Sequence, residues 1–259
     1  MTTAPKQKIS LLCPTRGRPH YLIPHLASIA ETIAAPERLE LFFYVDRDDS
    51  CAEEYQALFA ESKGLGLDII GLVGDRIGTP KAINVMAGQS AGDCLMISND
   101  DLLFATKGWD LALDQVASMA PDGIFNAYFN DGYFKHTLSC FPIVGRAWYD
   151  ALGYLAPVIF DHCNVDLWIH RVGAMLNRNY YLEDVKVEHR HFEDDASGNR
   201  FNWQVEGAPR RRLARDNAYF EIFERYMALD AGILEDVIAG RPSRFSSFKD
   251  LALMVAYST

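Results

Sequence analysis

Residues 94–101 read Cys94-Leu95-Met96-Ile97-Ser98-Asn99-Asp100-Asp101. Gly92 breaks the chain just before this stretch, and its apolar run has the length and flanks of a buried strand over Cys94 to Ser98. Two adjacent carboxylates follow at the strand's C-terminal end. Neighbouring carboxylates repel each other unless a cation or solvent separates them. Taken alone, Asn-Asp-Asp is equally a solvated surface turn. A buried strand directly before it turns the reading toward a ligand site, because Mg2+ and Mn2+ prefer oxygen donors and commonly bridge phosphates to one or two carboxylates.

Upstream, the same alternation of strand and helix repeats. Ile9 to Cys13 is an apolar run closed by Pro14. Thr15-Arg16-Gly17-Arg18-Pro19 is turn chemistry. Leu22, Leu26, Ile29, Ala30 and Ile33 recur at helical spacing, and Pro36 closes that helix. Leu39 to Val45 predicts a second strand, ended by Asp46-Arg47-Asp48-Asp49, and Ser50 is placed to cap a helix from Cys51 to Ser62. A third strand is expected over Asp68 to Val73. Gly78-Thr79-Pro80 opens a helix to about Ala91, with Thr79 as N-cap and Pro80 at its first position.

Successive strand–helix units predict an α/β fold with a largely parallel sheet and helices on both faces. Ligands in such sheets sit beyond the carboxyl ends of the strands. The polar clusters Thr15–Arg18, Asp46–Asp49 and Asn99–Asp101 all fall at those ends.

The second half is less regular. Phe125 to Phe134 reads as strand and turn, Trp148 to Leu152 as a short helix, Val165 to Leu176 as a helix and Tyr180 to His191 as a strand. Ser197 to Trp203 reads as a polar loop. Leu213 to about Ala239 carries one long helical pattern, and Phe248 to Ala256 a second. With no repeats or low-complexity linker, the expected organisation is a catalytic domain over 1–205 and a helical extension over 206–259. That extension can pack on its own domain, cover the acceptor site or form a homodimer.

Composition narrows the function. The 259 residues are 49% hydrophobic and 23% charged, which suits a globular protein with a sizeable core. A net charge of −10 argues against a nucleic-acid partner. An acidic chain can still take an anionic nucleotide through a metal ion, a helix N-terminus or a few arginines. The five cysteines form no CxxC pair, the N-terminal residues 1–8 lack an apolar signal region, and no run approaches the roughly 18 apolar residues of a membrane span. The expected location is cytoplasmic.

Pro14-Thr15-Arg16, the acidic cluster from Asp46, and the run Gly78…Ala82-x-Asn84…Ala91-Gly92-Asp93 leading to Ser98-Asn99-Asp100-Asp101 resemble family-2-type glycosyltransferases with the A-type fold, over about Ile9 to His191. Trp109-Asp110 after Gly108 resembles bacterial and phage members. The resemblance implies a nucleotide-diphospho-sugar transferase fold, with a largely parallel mixed central sheet flanked by helices. It also implies a nucleotide-diphosphate sugar donor, Mn2+ or Mg2+, and a carbohydrate or other hydroxyl acceptor. Carried over, Pro14, Thr15 and Arg16 would line the nucleotide and Asp46 would meet the base. Lys81 and Asn84 would meet phosphate or base, Asp100 the ribose or donor sugar, and Asp101 the metal. The commonest family pattern has Asp where Ser98 stands, so which of Asp100 and Asp101 ligates the metal stays open.

Two further clusters carry chemistry. In Val185-Lys186-Val187-Glu188-His189-Arg190-His191 a period of two puts Val185, Val187, His189 and His191 on one face. Both histidines are thus candidate metal ligands or hydrogen-bonded interior histidines. A zinc site with His162 and Cys163 matches no standard spacing. Asp161-His162-Cys163-Asn164-Val165-Asp166 precedes a helix, where family-2 members often carry Glu-Asp. An inverting transferase needs one carboxylate to deprotonate the acceptor, so Asp161 and Asp166 are the candidate bases. If neither serves, a retaining route opens.

Tyr128, Phe129, Tyr133, Phe134, Trp148 and Trp168 are sugar-stacking or core aromatics. Arg210-Arg211-Arg212 is a basic run or a solvated helix start. The competing functions are a nucleotidyltransferase, against which the single glycine of Thr15–Arg18 counts, and a non-catalytic nucleotide- or carbohydrate-binding module.

Overall fold

A computed structural model describes residues 6–190 and 209–243 of the chain. The order of elements is β1 (Ile9–Thr15), α1 (Pro19–Thr32), β2 (Leu39–Asp46), α2 (Ala52–Glu61), β3 (Asp68–Gly74), α3 (Thr79–Gln89), β4 (Cys94–Ile97) and β5 (Leu102–Phe104). Then come α4 (Leu111–Met119), β6 (Asn126–Asn130), β7 (Ile143–Gly145), α5 (Arg146–Leu152), α6 (Val165–Met175), β8 (Asn179–His189), α7 (Pro209–Phe223) and α8 (Met227–Ile238).

The strands form one eight-stranded sheet in the order β3-β2-β1-β4-β7-β6-β8-β5. Its first four strands are parallel, and β7 then pairs antiparallel with both β4 and β6. β8 runs parallel to β6, and β5 antiparallel to β8. This is the α/β, largely parallel but mixed sheet flanked by helices expected from the sequence.

Strand periodicity accounts for the layers. Ile9, Leu11 and Cys13 of β1 and Leu41, Phe43 and Val45 of β2 face one core, shared with α1, α2 and α4. Leu12, Phe42 and Tyr44 face the other, shared with α3, α5, α6 and α8. A strand buried on both faces cannot alternate with polar residues, which is why β1, β2 and β4 read as continuous apolar runs.

Several elements depart from expectation. Pro14 does not end β1, which continues to Thr15. Leu12 O accepts from Ser98 N, so Pro14, two residues on, turns its missing N–H to the β4 side, where the ladder has already stopped at Leu12. Ser50 makes no cap: Asp49 Oδ1 accepts from Cys51 N at 3.0 Å. Gly78, at φ +80°, takes the cap position that Thr79 was expected to hold, and Thr79 begins the helix. β5 was not foreseen, since three residues give too little periodicity to read. The single long C-terminal helix is instead α7 and α8, separated by a 3-10 turn over Glu224–Tyr226. The expected loop at Ser197 to Trp203 and helix at Phe248 to Ala256 lie outside the described residues.

α7 and α8 pack against the sheet's helical layer. Phe220, Met227, Ile233 and Leu234 are buried in the same core as α3, α5 and α6. Asp230 of α8 is fully buried and accepts from the Tyr154 hydroxyl and, at 2.9 Å, from Trp168 Nε1. No helix among the described residues is long and apolar enough to cross a membrane.

Candidate active site

β1 and β4 are parallel neighbours at the point where the strand order switches, the place where open α/β sheets form a ligand crevice beyond their carboxyl ends. Thr15 ends β1, and Asp100 and Asp101 follow β4. The Thr15 hydroxyl spans the crevice to Asp100 Oδ2 at 2.6 Å and lies 2.8 Å from the Tyr55 hydroxyl on α2. Both aspartates are buried, at 0% and 2% exposure, which removes the surface-turn alternative.

The backbone around the pair is pinned from two sides. The His25 ring on α1 donates from Nδ1 to Leu102 O at 2.5 Å, and Ser28 Oγ accepts from Phe104 N at 3.1 Å. These bonds hold β5 against α1. Burial lowers the His25 pKa to about 4, so the ring is neutral at physiological pH and serves as a fixed donor. On the other side, Leu102 pairs with His189 in the β5–β8 register, and Arg190 N donates to Asp101 O at 2.9 Å.

That register brings His189 to the aspartates. Its Nε2 is 3.4 Å from Asp101 Oδ1, and its ring meets Phe141 edge-on at 5.0 Å between centroids. Val185 and Val187 are buried and Lys186 and Glu188 exposed, the alternation expected of this strand. His191 lies outside the described residues. Among the described residues, no three His, Cys, Asp or Glu side chains converge as a self-sufficient metal cage. Asp101 and His189 still offer one oxygen and one nitrogen donor side by side. An octahedral ion that keeps waters and takes substrate phosphates needs no more from the protein.

Asp46 is at the end of β2, next to β1. Arg16 reaches it at 3.1 Å and Asp48 at 2.6 Å, so the two predicted nucleotide contacts sit together. Burial raises the Asp46 pKa, against the pull of Arg16. Lys81 is exposed on the first turn of α3. Asn84 is engaged mainly with the protein's own backbone. Its Oδ1 accepts from Leu155 N and Ala156 N, and its Nδ2 donates to Ala156 O, all within 2.9 Å. These three bonds tie the 155–156 backbone to α3 and use both acceptor sites of the amide and one of its two N–H donors, so only the second N–H is left for a nucleotide.

The two candidate bases separate. Asp161 faces α7, within 3.6 Å of Arg212 and 3.5 Å of Arg215, and its carbonyl accepts from Thr79 N. It joins α3 to α7, a role that explains its place before the helix. Asp166, in the first turn of α6, feels the charge of His189. Burial raises its pKa to about 6, while its bond from Leu167 N, at 2.8 Å, and His189 draw it down. A carboxylate poised near 6 is largely ionised at neutral pH yet basic enough to take a proton. Cys163 and His162 do not join His189: among the described residues no three such side chains converge, and His162 Nδ1 lies 3.0 Å from Thr79 Oγ1.

Asp100 is also pushed up to about 6, chiefly by burial and then by Asp101, with Arg18 pulling the other way. Arg18 is the principal residue that the sequence reading passed over. Its guanidinium bonds Asp100 Oδ1 and reaches Asp101 Oδ2 at 3.2 Å. Burial would lower its pKa, but the two carboxylates outweigh that and raise it. The only sequence signal was a second arginine in the β1–α1 turn, and its partners lie more than 80 residues away. Asp216 was also missed. Its buried carboxylate accepts from the backbone N–H groups of Asp161, His162 and Cys163 at 2.9, 2.8 and 2.7 Å, fixing the turn that leads into α6.

Of the aromatics, Tyr128, Phe129, Trp148 and Trp168 are core residues, whereas Tyr133 is 65% exposed.

The whole fold resembles solved glycosyltransferases. A mannosyltransferase, PcManGT from Pyrobaculum calidifontis, solved with GDP-Man and Mn2+, matches 98% of this chain and 80% of its own, with a TM-score of 0.63 and 15% identity. Residues 1–349 of S. aureus TarS in complex with UDP match 92% of this chain and 94% of theirs, with a TM-score of 0.54 and 15% identity. Against the longer S. aureus TarS structure this chain spans 50% of the length, at 18% identity. No protein-family model matches the chain, and neither does any curated protein. At these identities the likeness concerns the fold, which is that of the A-type glycosyltransferases.

Proposed function

We propose that the chain is a metal-dependent, inverting glycosyltransferase that moves a sugar from a nucleoside-diphosphate donor to an acceptor hydroxyl. The observation that carries this reading is the buried carboxylate pair Asp100–Asp101 beyond β4 with His189 Nε2 3.4 Å from Asp101, and the raised-pKa Asp166 of α6 within reach of the His189 charge. Structural neighbours solved with GDP-Man and Mn2+, and with UDP, support the substrate class.

In this reading Thr15, Arg16 and Asp46 hold the nucleoside, and Asp100 orients the ribose or sugar. Asp101 and His189, with His191 as a further candidate ligand, hold Mn2+ or Mg2+. The ion would supply positive charge to the departing diphosphate. Asp166 accepts the proton of the acceptor hydroxyl as its oxygen bonds to the anomeric carbon. The bond from that carbon to the diphosphate oxygen breaks, and the nucleoside diphosphate leaves with the electron pair. A single displacement of this kind inverts the anomeric centre. Lys81, exposed beside the start of α3, is a second-rank phosphate contact.

Thermal unfolding measured with UDP, GDP, CMP and ATP, each with and without Mn2+, tests the reading. A Mn2+-dependent rise with one nucleoside diphosphate is expected. A rise with the triphosphate alone would point to nucleotidyl transfer. Donor hydrolysis or transfer separates a catalyst from a binding module, and binding without any turnover would end the enzyme reading.

A further inference from the structure

Arg18 has no part in the reaction just described, yet it holds the centre of the site. Its guanidinium forks across the carboxylate pair, one terminal nitrogen on Asp100 Oδ1 and the other 3.2 Å from Asp101 Oδ2. It lies 5.2 Å from the Tyr21 ring centroid, a cation–π contact from the same turn of α1. Its own backbone N–H donates to the Tyr55 hydroxyl at 2.9 Å, and Gly17 N donates to Asp49 Oδ2 at 2.8 Å, so the turn that presents it is fixed. A planar fork held at both ends is a matched partner for two adjacent carboxylates.

Two consequences follow from charge alone. The guanidinium offsets part of the repulsion between two carboxylates held side by side in a buried place. A divalent ion drawing on Asp101 would stand a few ångströms from this guanidinium and compete with it for the same carboxylate. The diphosphate of a donor is the one substrate group able to relieve that conflict, since arginine binds phosphate oxygens as readily as carboxylate.

We propose that Arg18 is the resident counter-cation of the Asp100–Asp101 pair. It excludes the divalent ion until a nucleoside diphosphate draws it away, so that metal and nucleotide bind synergistically. The inference rests on the metal-dependent transferase reading above and deepens it. Arg18 is in this sense a positioning residue, acting on the metal site through the carboxylates it holds.

The test is Mn2+ binding, followed by the electron paramagnetic resonance of the free ion, on the full chain and on Arg18→Gln and Arg18→Lys. Without nucleotide, Arg18→Gln should bind Mn2+ at least about tenfold more tightly than the parent, because a unit charge within about 4 Å has been removed. Arg18→Lys, which keeps the charge but loses the fork, should fall between them and carries the test if Arg18→Gln fails to fold. Adding GDP or UDP should tighten Mn2+ binding strongly in the parent and much less in Arg18→Gln. If both variants bind Mn2+ alone no better than the parent, while nucleotide still promotes Mn2+ binding in all three, the counter-cation proposal is overturned and the metal reading stands. If no form binds Mn2+ even with nucleotide, the metal reading falls and this proposal with it.

Discussion

Replacing Asp166 with Asn should make the protein more stable and less active at the same time. In the folded chain burial raises the Asp166 pKa from 3.8 to about 6. A carboxyl whose folded pKa lies above its unfolded value favours folding in its neutral form. The wild-type chain therefore loses stability as pH rises from 3.8 through 6, and the loss is complete above that range. At about 1.36 kcal/mol per pKa unit, the full penalty is on the order of 3 kcal/mol at pH 8 and roughly 1.5 kcal/mol at pH 5. Asparagine cannot ionise, and its Oδ1 can still accept from Leu167 N as the aspartate does. The difference between variant and parent should therefore grow with pH across this window. Urea unfolding at pH 5, 6, 7 and 8, with chelator present to keep divalent ions off the neighbouring His189 and Asp101, reads it directly. Transfer or donor-hydrolysis rates on the same preparations should fall by at least about a hundredfold, the ordinary scale of a lost general base. A variant no more stable than the parent at pH 8, or a difference that ignores pH, would refute the burial argument. Normal turnover in Asp166→Asn would refute the base assignment.

The other expectations are separate in mechanism. Asp101→Ala should abolish the Mn2+-dependent part of any nucleotide-induced thermal shift and leave the metal-independent part; an unchanged shift would remove Asp101 from the metal site. Asp216→Ala strips the acceptor from three backbone N–H groups of the 161–163 turn. It should cost roughly 2–4 kcal/mol by denaturant unfolding, reduced from three full orphaned bonds because water reaches part of the turn. It should also lower kcat more than it raises the donor KM, because that turn leads into Asp166. Stability within about 0.5 kcal/mol of the parent, the ordinary scatter of surface substitutions, would show the clamp to be idle. Gly145→Ala should be strongly destabilising, since a Cβ there would stand 2.1 Å from Gly123 O, a backbone atom that cannot rotate away. Normal expression with an unshifted Tm would contradict that packing.

Much of this protein was legible one segment at a time. Cys94–Ile97 and Leu39–Asp46 are strands because they are buried on both faces, and continuous apolar runs report that without any knowledge of neighbours. The strand-end positions of Thr15, Asp46 and Asp100 followed from the order of elements, since parallel strands place their C-terminal ends on one edge. The period-two pattern of Val185, Val187 and His189 fixed which face of β8 turns inward.

What the sequence could not rank were side chains of equal local merit. Asp161 and Asp166 both precede or open α6, and only the packing of α7 brings Arg212 and Arg215 to the first, while the charge of His189 reaches the second. Asn84 read as a nucleotide contact, and only the packing of residues 155–156 on α3 shows that its amide also holds backbone there. Arg18 showed only as a second arginine in a polar turn and Asp216 not at all, because a charge is defined by what it meets, and their partners lie 82 and 53–55 residues away in the chain. Local pattern thus determined most strands and helices, β5 and the break between α7 and α8 excepted, and the edge where the polar clusters gather, because burial of backbone and apolar surface acts over a few residues. Which carboxylates Arg18 bridges, which one the charge of His189 reaches and which one joins α3 to α7 were decided by the tertiary structure. Electrostatic pairing depends on separation in space, and the sheet order β3-β2-β1-β4-β7-β6-β8-β5 sets those separations.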